Sequence, residues 1–160
     1  MYMNKFYLIK NTNINLTYVS NILKLCNSDN GILISILNCI FQEVCLENKT
    51  KYVVHRKFLL KIIDGKLKAY QVLHKLLKEI GVYGIVQSNT DLDFVENLDL
   101  NKMDLQKFLS FNISIQAEIL KLLINVIKTC ENQEHLRMLN CIYEIEKNNN
   151  ELYMNLKLLK

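Results

Sequence analysis

The sequence predicts an all-α domain, built as stacked helical hairpins or as an irregular helical bundle of about seven or eight helices. Three observations carry that expectation. Apolar residues recur at helical spacing through most of the 160 residues. Four glycines and no proline are too few turn formers for a barrel or sandwich of many short strands. A glycine-rich strand-to-helix loop of the kind a nucleotide-binding α/β fold requires is also missing.

Residues 1–15 read as an N-terminal arm, with apolar Phe6-Tyr7-Leu8-Ile9 ahead of polar Asn11 to Asn15. Residues 16–160 read as a single helical domain. Its first helix carries Leu16, Val19, Ile22, Leu23 and Cys26, with Asn15 placed to cap it. Asn27 to Asn30 break the pattern. The next helix, about 31–47, is apolar nearly all round and is expected to be central and buried. A third helix over 51–63 ends at Asp64-Gly65, and a fourth over 66–80 ends at Gly81. Val82 and Ile85 suggest that the connection over 81–90 packs down. Asp91, Asp93 and Glu96 suit the first turn of a short helix, and Asn101 can cap another that contains Leu105 and Phe108. Ser114 is placed to cap a helix over 115–129, and Asn132 one over 133–147. Asn148-Asn149-Asn150 would end the latter, leaving a last segment with Leu152, Tyr153, Leu156 and Leu159.

Composition narrows the function classes. The chain has 18 lysines to 2 arginines, 20 asparagines and 2 alanines, a bias typical of AT-rich coding sequence. The five cysteines are odd in number and sit among aliphatic residues, which argues for free core thiols. The amino terminus lacks the apolar stretch of a signal peptide, and the longest fully apolar run is far short of a membrane span. A cytoplasmic or nuclear protein is expected. No Cys-x-x-Cys, His-Glu-x-x-His or calcium-loop pattern occurs. Cys45 and His55 are the closest cysteine and histidine, and Cys45 lies on the most apolar helix, so no enzyme, metal, cofactor or small-molecule substrate is expected.

Charge is uneven. Over 49–78, eight lysines and Arg56 face the single acid Asp64, whereas over 79–104 six acids face Lys102 alone. Arg56, Lys57, Lys61, Lys68, Lys75 and Lys78 form a candidate basic binding face. It would contact phosphates in a salt-dependent way, pair with the protein's own acidic segment 91–104, or meet an acidic partner helix.

Two stretches echo one another. Asn21 to Cys26 (Asn-Ile-Leu-Lys-Leu-Cys) returns as Asn125 to Cys130 (Asn-Val-Ile-Lys-Thr-Cys), and Leu37-Asn38-Cys39-Ile40 returns as Leu139-Asn140-Cys141-Ile142. This arrangement resembles the helical hairpins of armadillo and HEAT repeat proteins, best over 16–47 and 115–147, without the proline those repeats often carry. The resemblance implies an α-solenoid scaffold that presents a side-chain surface to another protein. The expected function is therefore a non-enzymatic protein-interaction scaffold or adaptor. The alternative is a nucleic-acid-associated protein that uses the basic face of 51–78. A minor alternative is a host-modulating viral protein resembling the Bcl-2 bundle, although the Asn-Trp-Gly-Arg turn of that fold is absent and Tyr83-Gly84-Ile85-Val86 echoes it only faintly.

Overall fold

The computed structural model describes residues 15–47, 49–82 and 105–159. Among these the chain is helical throughout, with five α-helices and one short 3-10 turn. Helix α1 (Leu16–Asn27) starts where expected, since the Asn15 side chain accepts from the Thr17 and Tyr18 backbone N–H groups at 3.0 and 3.2 Å. Helix α2 spans Ile32–Leu46. After the turn at Thr50–Tyr52, α3 runs Val53–Glu79 without interruption and ends at Gly81, whose φ of 85° is a left-handed stop. Helix α4 covers Leu105–Lys128, and α5 covers Gln133–Leu158 behind an Asn132 cap that accepts from Glu134 and His135 N–H groups at 2.9 and 3.0 Å.

The all-α class stands. The count of seven or eight helices does not, because segments expected to be separate are fused. Asp64-Gly65 does not end a helix. Ser114 is an exposed residue inside α4, and Asn148 to Asn150 lie inside α5. In each case the inward-facing three-and-four phase continues straight through the polar residues. On α4 it passes from Leu109 through Asn112 and Gln116 to Ile119, and on α5 from Ile142 through Glu146 and Asn149 to Tyr153, all buried. A polar residue in the core-facing phase does not stop a helix when a partner awaits it across the interface. Residues 1–14 of the N-terminal arm, Tyr83 to Val86 and Asp91 to Asp104 fall outside the described residues.

Helices α2 to α5 form a four-helix bundle with two apolar clusters stacked along its axis. One holds Ile32 and Ile36 of α2, Ala69 to Leu77 of α3, Ile115 to Val126 of α4, and Leu139 and Ile142 of α5. The other holds Cys39 and Leu46, Leu59 and Ile62, Leu109, and Tyr153 and Leu156. This membership gives the directions: α3 and α4 run parallel, and α2 and α5 run opposite to both. Val82 packs against the cluster at one end of the bundle and Leu105 against the cluster at the other. Helix α1 covers the first end, with Tyr18 stacked on His135 and Cys26 reaching His74 at 4.0 Å.

The sequence echo is not a structural repeat. The α1–α2 hairpin has helices of 12 and 15 residues, against 24 and 26 for α4–α5. Cys39 is buried while its counterpart Cys141 is exposed. Cys141 also departs from the expectation of five core thiols, as do half-buried Cys45 and Cys130. By length and composition two stretches, Leu16–Leu46 and Leu105–Lys128, would suffice to cross a membrane. The first is broken between α1 and α2, and the second turns Asn112 and Gln116 into the bundle interior.

Candidate functional site

Two features stand out: a buried polar layer and an exposed apolar groove beside a line of lysines.

The layer separates the two apolar clusters. Lys66 of α3 was expected within the basic block, yet it is fully enclosed. Its Nζ donates to Gln116 Oε1 at 2.6 Å and to Glu146 Oε2 at 3.0 Å, and both members of the ion pair are completely buried. Gln116 Nε2 donates to the Glu146 carboxylate at 2.9 Å and to the Glu146 backbone carbonyl at 2.8 Å. Asn149 Nδ2 adds a long contact to the same carboxylate at 3.4 Å. The Lys66 ammonium also lies 5.9 Å from the Tyr153 ring centroid. On the α2 side, Asn112 donates to Gln42 Oε1 at 3.0 Å, and Cys39 Sγ lies 2.8 Å from the Tyr153 hydroxyl. Burial raises both of these last two groups above their ordinary ranges, with Lys66 pulling the thiol part of the way back. Glu146 Oε1, Asn112 Oδ1 and Gln42 Nε2 have no partner among the described residues. Gly65 permits the close approach of α5: a Cβ there would lie 3.1 Å from Asn149 Cγ, with Oδ1 nearer still. The layer is enclosed on all sides, so it is an internal adhesive rather than a cleft open to substrate. Among the described residues, no three His, Cys, Asp or Glu side chains gather as a metal site would need.

The surface feature begins with Arg56. Its Nε and Nη2 donate to Glu43 Oε1 at 2.9 and 2.6 Å, and Nη1 donates to the Glu47 carbonyl at 3.1 Å. This residue, expected on the binding face, instead clamps α3 to α2. The clamp also fixes which flank of each helix faces the other. Just outside it on α2 lie Leu37, Ile40 and Val44, exposed by 49, 40 and 57%. Just outside it on α3 lie Leu60 and Leu67, exposed by 50 and 44%. Counting back along the antiparallel helices from Glu43 and Arg56 brings Ile40 opposite Leu60 and Leu33 opposite Leu67. The result is an outer groove with apolar walls. Helix α2 is thus not buried all round, as its composition suggested; one flank faces outward.

Along the crest of α3 beside this groove run Lys57, Lys61, Lys68 and Lys75. Their spacing keeps them on one line about 27 Å long. All four are exposed, as is Lys78, which lies off the line. Lys68 pairs with Asp64 at 2.6 Å, and the others have no ion pair among the described residues. Of the six expected basic residues, the structure therefore gathers four on one line, leaves Lys78 beside it and turns Arg56 to packing. The groove walls were missed because a single helix face does not reveal which neighbour it meets. Comparison with protein-family models, with curated proteins and with solved structures gives no match.

Proposed function

We propose that this protein is a non-enzymatic interaction module, working inside the cell, that binds another protein through the α2–α3 groove. The carrying observation is the pair of facing apolar walls, Leu37, Ile40 and Val44 against Leu60 and Leu67, left half-exposed. Contiguous apolar surface of that kind marks interaction sites, whereas single exposed leucines do not. Covering the remaining half of five aliphatic side chains is worth roughly 4–7 kcal/mol before the cost of association. That supports reversible binding in which charge contributes the rest. A non-catalytic reading is further supported by the layer chemistry, where the buried ammonium of Lys66 is paired with the buried carboxylate of Glu146. Free thiols support the intracellular placement.

The test is a photo-crosslinking amino acid placed at Leu60 or Leu67 in the full chain in its own cells, with exposed Glu144 of α5 as control. Discrete protein adducts at the groove positions and none at Glu144 are expected. Equal labelling at all three, or no groove adduct, removes the reading.

The lysine line favours a second reading, a phosphate polymer laid along α3. About four contacts would give a log–log salt slope near −3.6 on duplex DNA. Such binding would be lost in Lys57→Glu/Lys61→Glu and untouched by Leu60→Ser.

A further inference from the structure

Resting on that reading, we propose that the occupant of the α2–α3 groove is an acidic amphipathic helix of a partner protein. Shape, register and charge each contribute. Two packed antiparallel helices leave a furrow between them, and the exposed apolar residues of α2 and α3 border it, an arrangement that receives a third helix. On α3 the exposed apolar positions Val53, Leu60 and Leu67 repeat every seven residues. Lys61, Lys68 and Lys75 repeat at the same interval, one position further on. Val53, Leu60 and Leu67 form one half of a heptad seam; Lys57 flanks it, as does Asp64, which Lys68 neutralises, and Lys61, Lys68 and Lys75 line the crest beyond, so the complement is a helix with apolar residues in the seam and Glu or Asp along the side nearest α3. From Val53 to Leu67 the wall is about 21 Å long, which accommodates about four turns. A second copy of this chain is disfavoured by the same charges, since pairing this face with itself sets the lysine lines against each other. A nucleic acid would use the lysines and leave the leucines idle.

The experiment measures binding of the full chain to two designed helical peptides by fluorescence anisotropy. Both carry leucines at seam spacing; one has glutamates along the flank and the other has lysines at those positions. The acidic peptide should bind roughly tenfold tighter at about 50 mM salt, with the gap closing at about 500 mM. Lys57→Glu/Lys61→Glu should reverse the preference, and Leu60→Ser/Leu67→Ser should weaken both peptides. These positions are exposed, and circular dichroism checks that each variant keeps its helices. If both peptides bind equally and the serine variant loses both, the groove reading stands and the acidic partner is overturned. If neither peptide binds, or binding ignores the serine changes, groove and partner fall together. A DNA duplex that binds through Lys57 and Lys61 and displaces the acidic peptide would overturn the proposal in favour of nucleic acid.

Discussion

Lys66→Met is the sharpest perturbation of this fold. Lys66 and Glu146 are both fully buried, and the ammonium is the cation on that carboxylate at 3.0 Å. Methionine fills similar space without the charge, so packing changes little while a buried carboxylate is left with amide donors alone. Removing one partner of such a pair costs about 3–5 kcal/mol. A domain of this size has about 5–15 kcal/mol of total stability, so the loss is roughly a fifth or more of what holds it folded. The chain has no tryptophan, and urea unfolding followed by circular dichroism is the natural assay; the midpoint should fall with little change in slope. Glu146→Leu should cost a similar amount, because it strands the ammonium.

Lys66→Met, Glu146→Leu and Gln116→Leu together remove the three mutually bonded groups; Asn149 loses its 3.4 Å contact and the Glu146 backbone carbonyl, which lies within a helix, loses its side-chain donor. The triple variant should therefore be more stable than Lys66→Met alone, with strongly non-additive energies. Single substitutions costing under about 1 kcal/mol each and adding linearly would refute the account, since that is how exposed ion pairs behave.

Three further outcomes follow from the same geometry. Gly65→Ala should destabilise by about 1–3 kcal/mol despite better helix propensity, because the new methyl meets Asn149; adding Asn149→Ala should recover most of that loss in the same unfolding assay. With a thiol reagent near neutral pH, Cys141 should be labelled fast in the native protein, while Cys26, which burial pushes up to about 12, and Cys39 should be labelled only on unfolding; mass spectrometry of the adducts checks this. Burial also lowers His55 below the ordinary imidazole range, so the folded state resists a proton that the unfolded chain takes up at about pH 6.5. Stability should then decline as pH falls from about 6.5 through the folded value, and His55→Gln should flatten that part of a stability–pH curve.

What was readable from sequence divides along a physical line. Caps were legible, since Asn15 and Asn132 act through neighbours two and three residues away. The all-helical class was legible too, because apolar periodicity is a local signal. The false helix ends at Asp64-Gly65, Ser114 and Asn148 to Asn150 share one cause. All three lie close to the level of the polar layer, where Lys66, Asn112, Gln116, Glu146 and Asn149 occupy core positions. Read one segment at a time, each looks like a break; only the partner on another helix shows that it is an interior contact. An unbroken three-and-four phase through the polar residues was the available clue. The basic face was half legible for the same reason: line-up along α3 follows from helical pitch, but the capture of Arg56 by Glu43 and the burial of Lys66 depend on neighbours remote in sequence.

The layer and the groove are coupled through helix register. Helices faced with leucine and isoleucine can slide by a turn at modest cost, because one aliphatic contact replaces another. A slide of one turn, about 5.4 Å, would carry Lys66 away from both Glu146 and Gln116 and press Asn149 against a residue other than Gly65. It would leave charge unpaired in the core. The layer thereby fixes the level of α3 against α4 and α5, and the Arg56–Glu43 clamp transfers that level to α2. The facing of Ile40 with Leu60 depends on this register. A variant with an all-apolar core, though stable, should let α3 settle at more than one level and blur the groove. The triple variant tests this directly: it should bind the acidic helix more weakly than the native chain even where it resists urea better. Equal or tighter binding by that variant would show that the surface is set by the loops and by Arg56 alone.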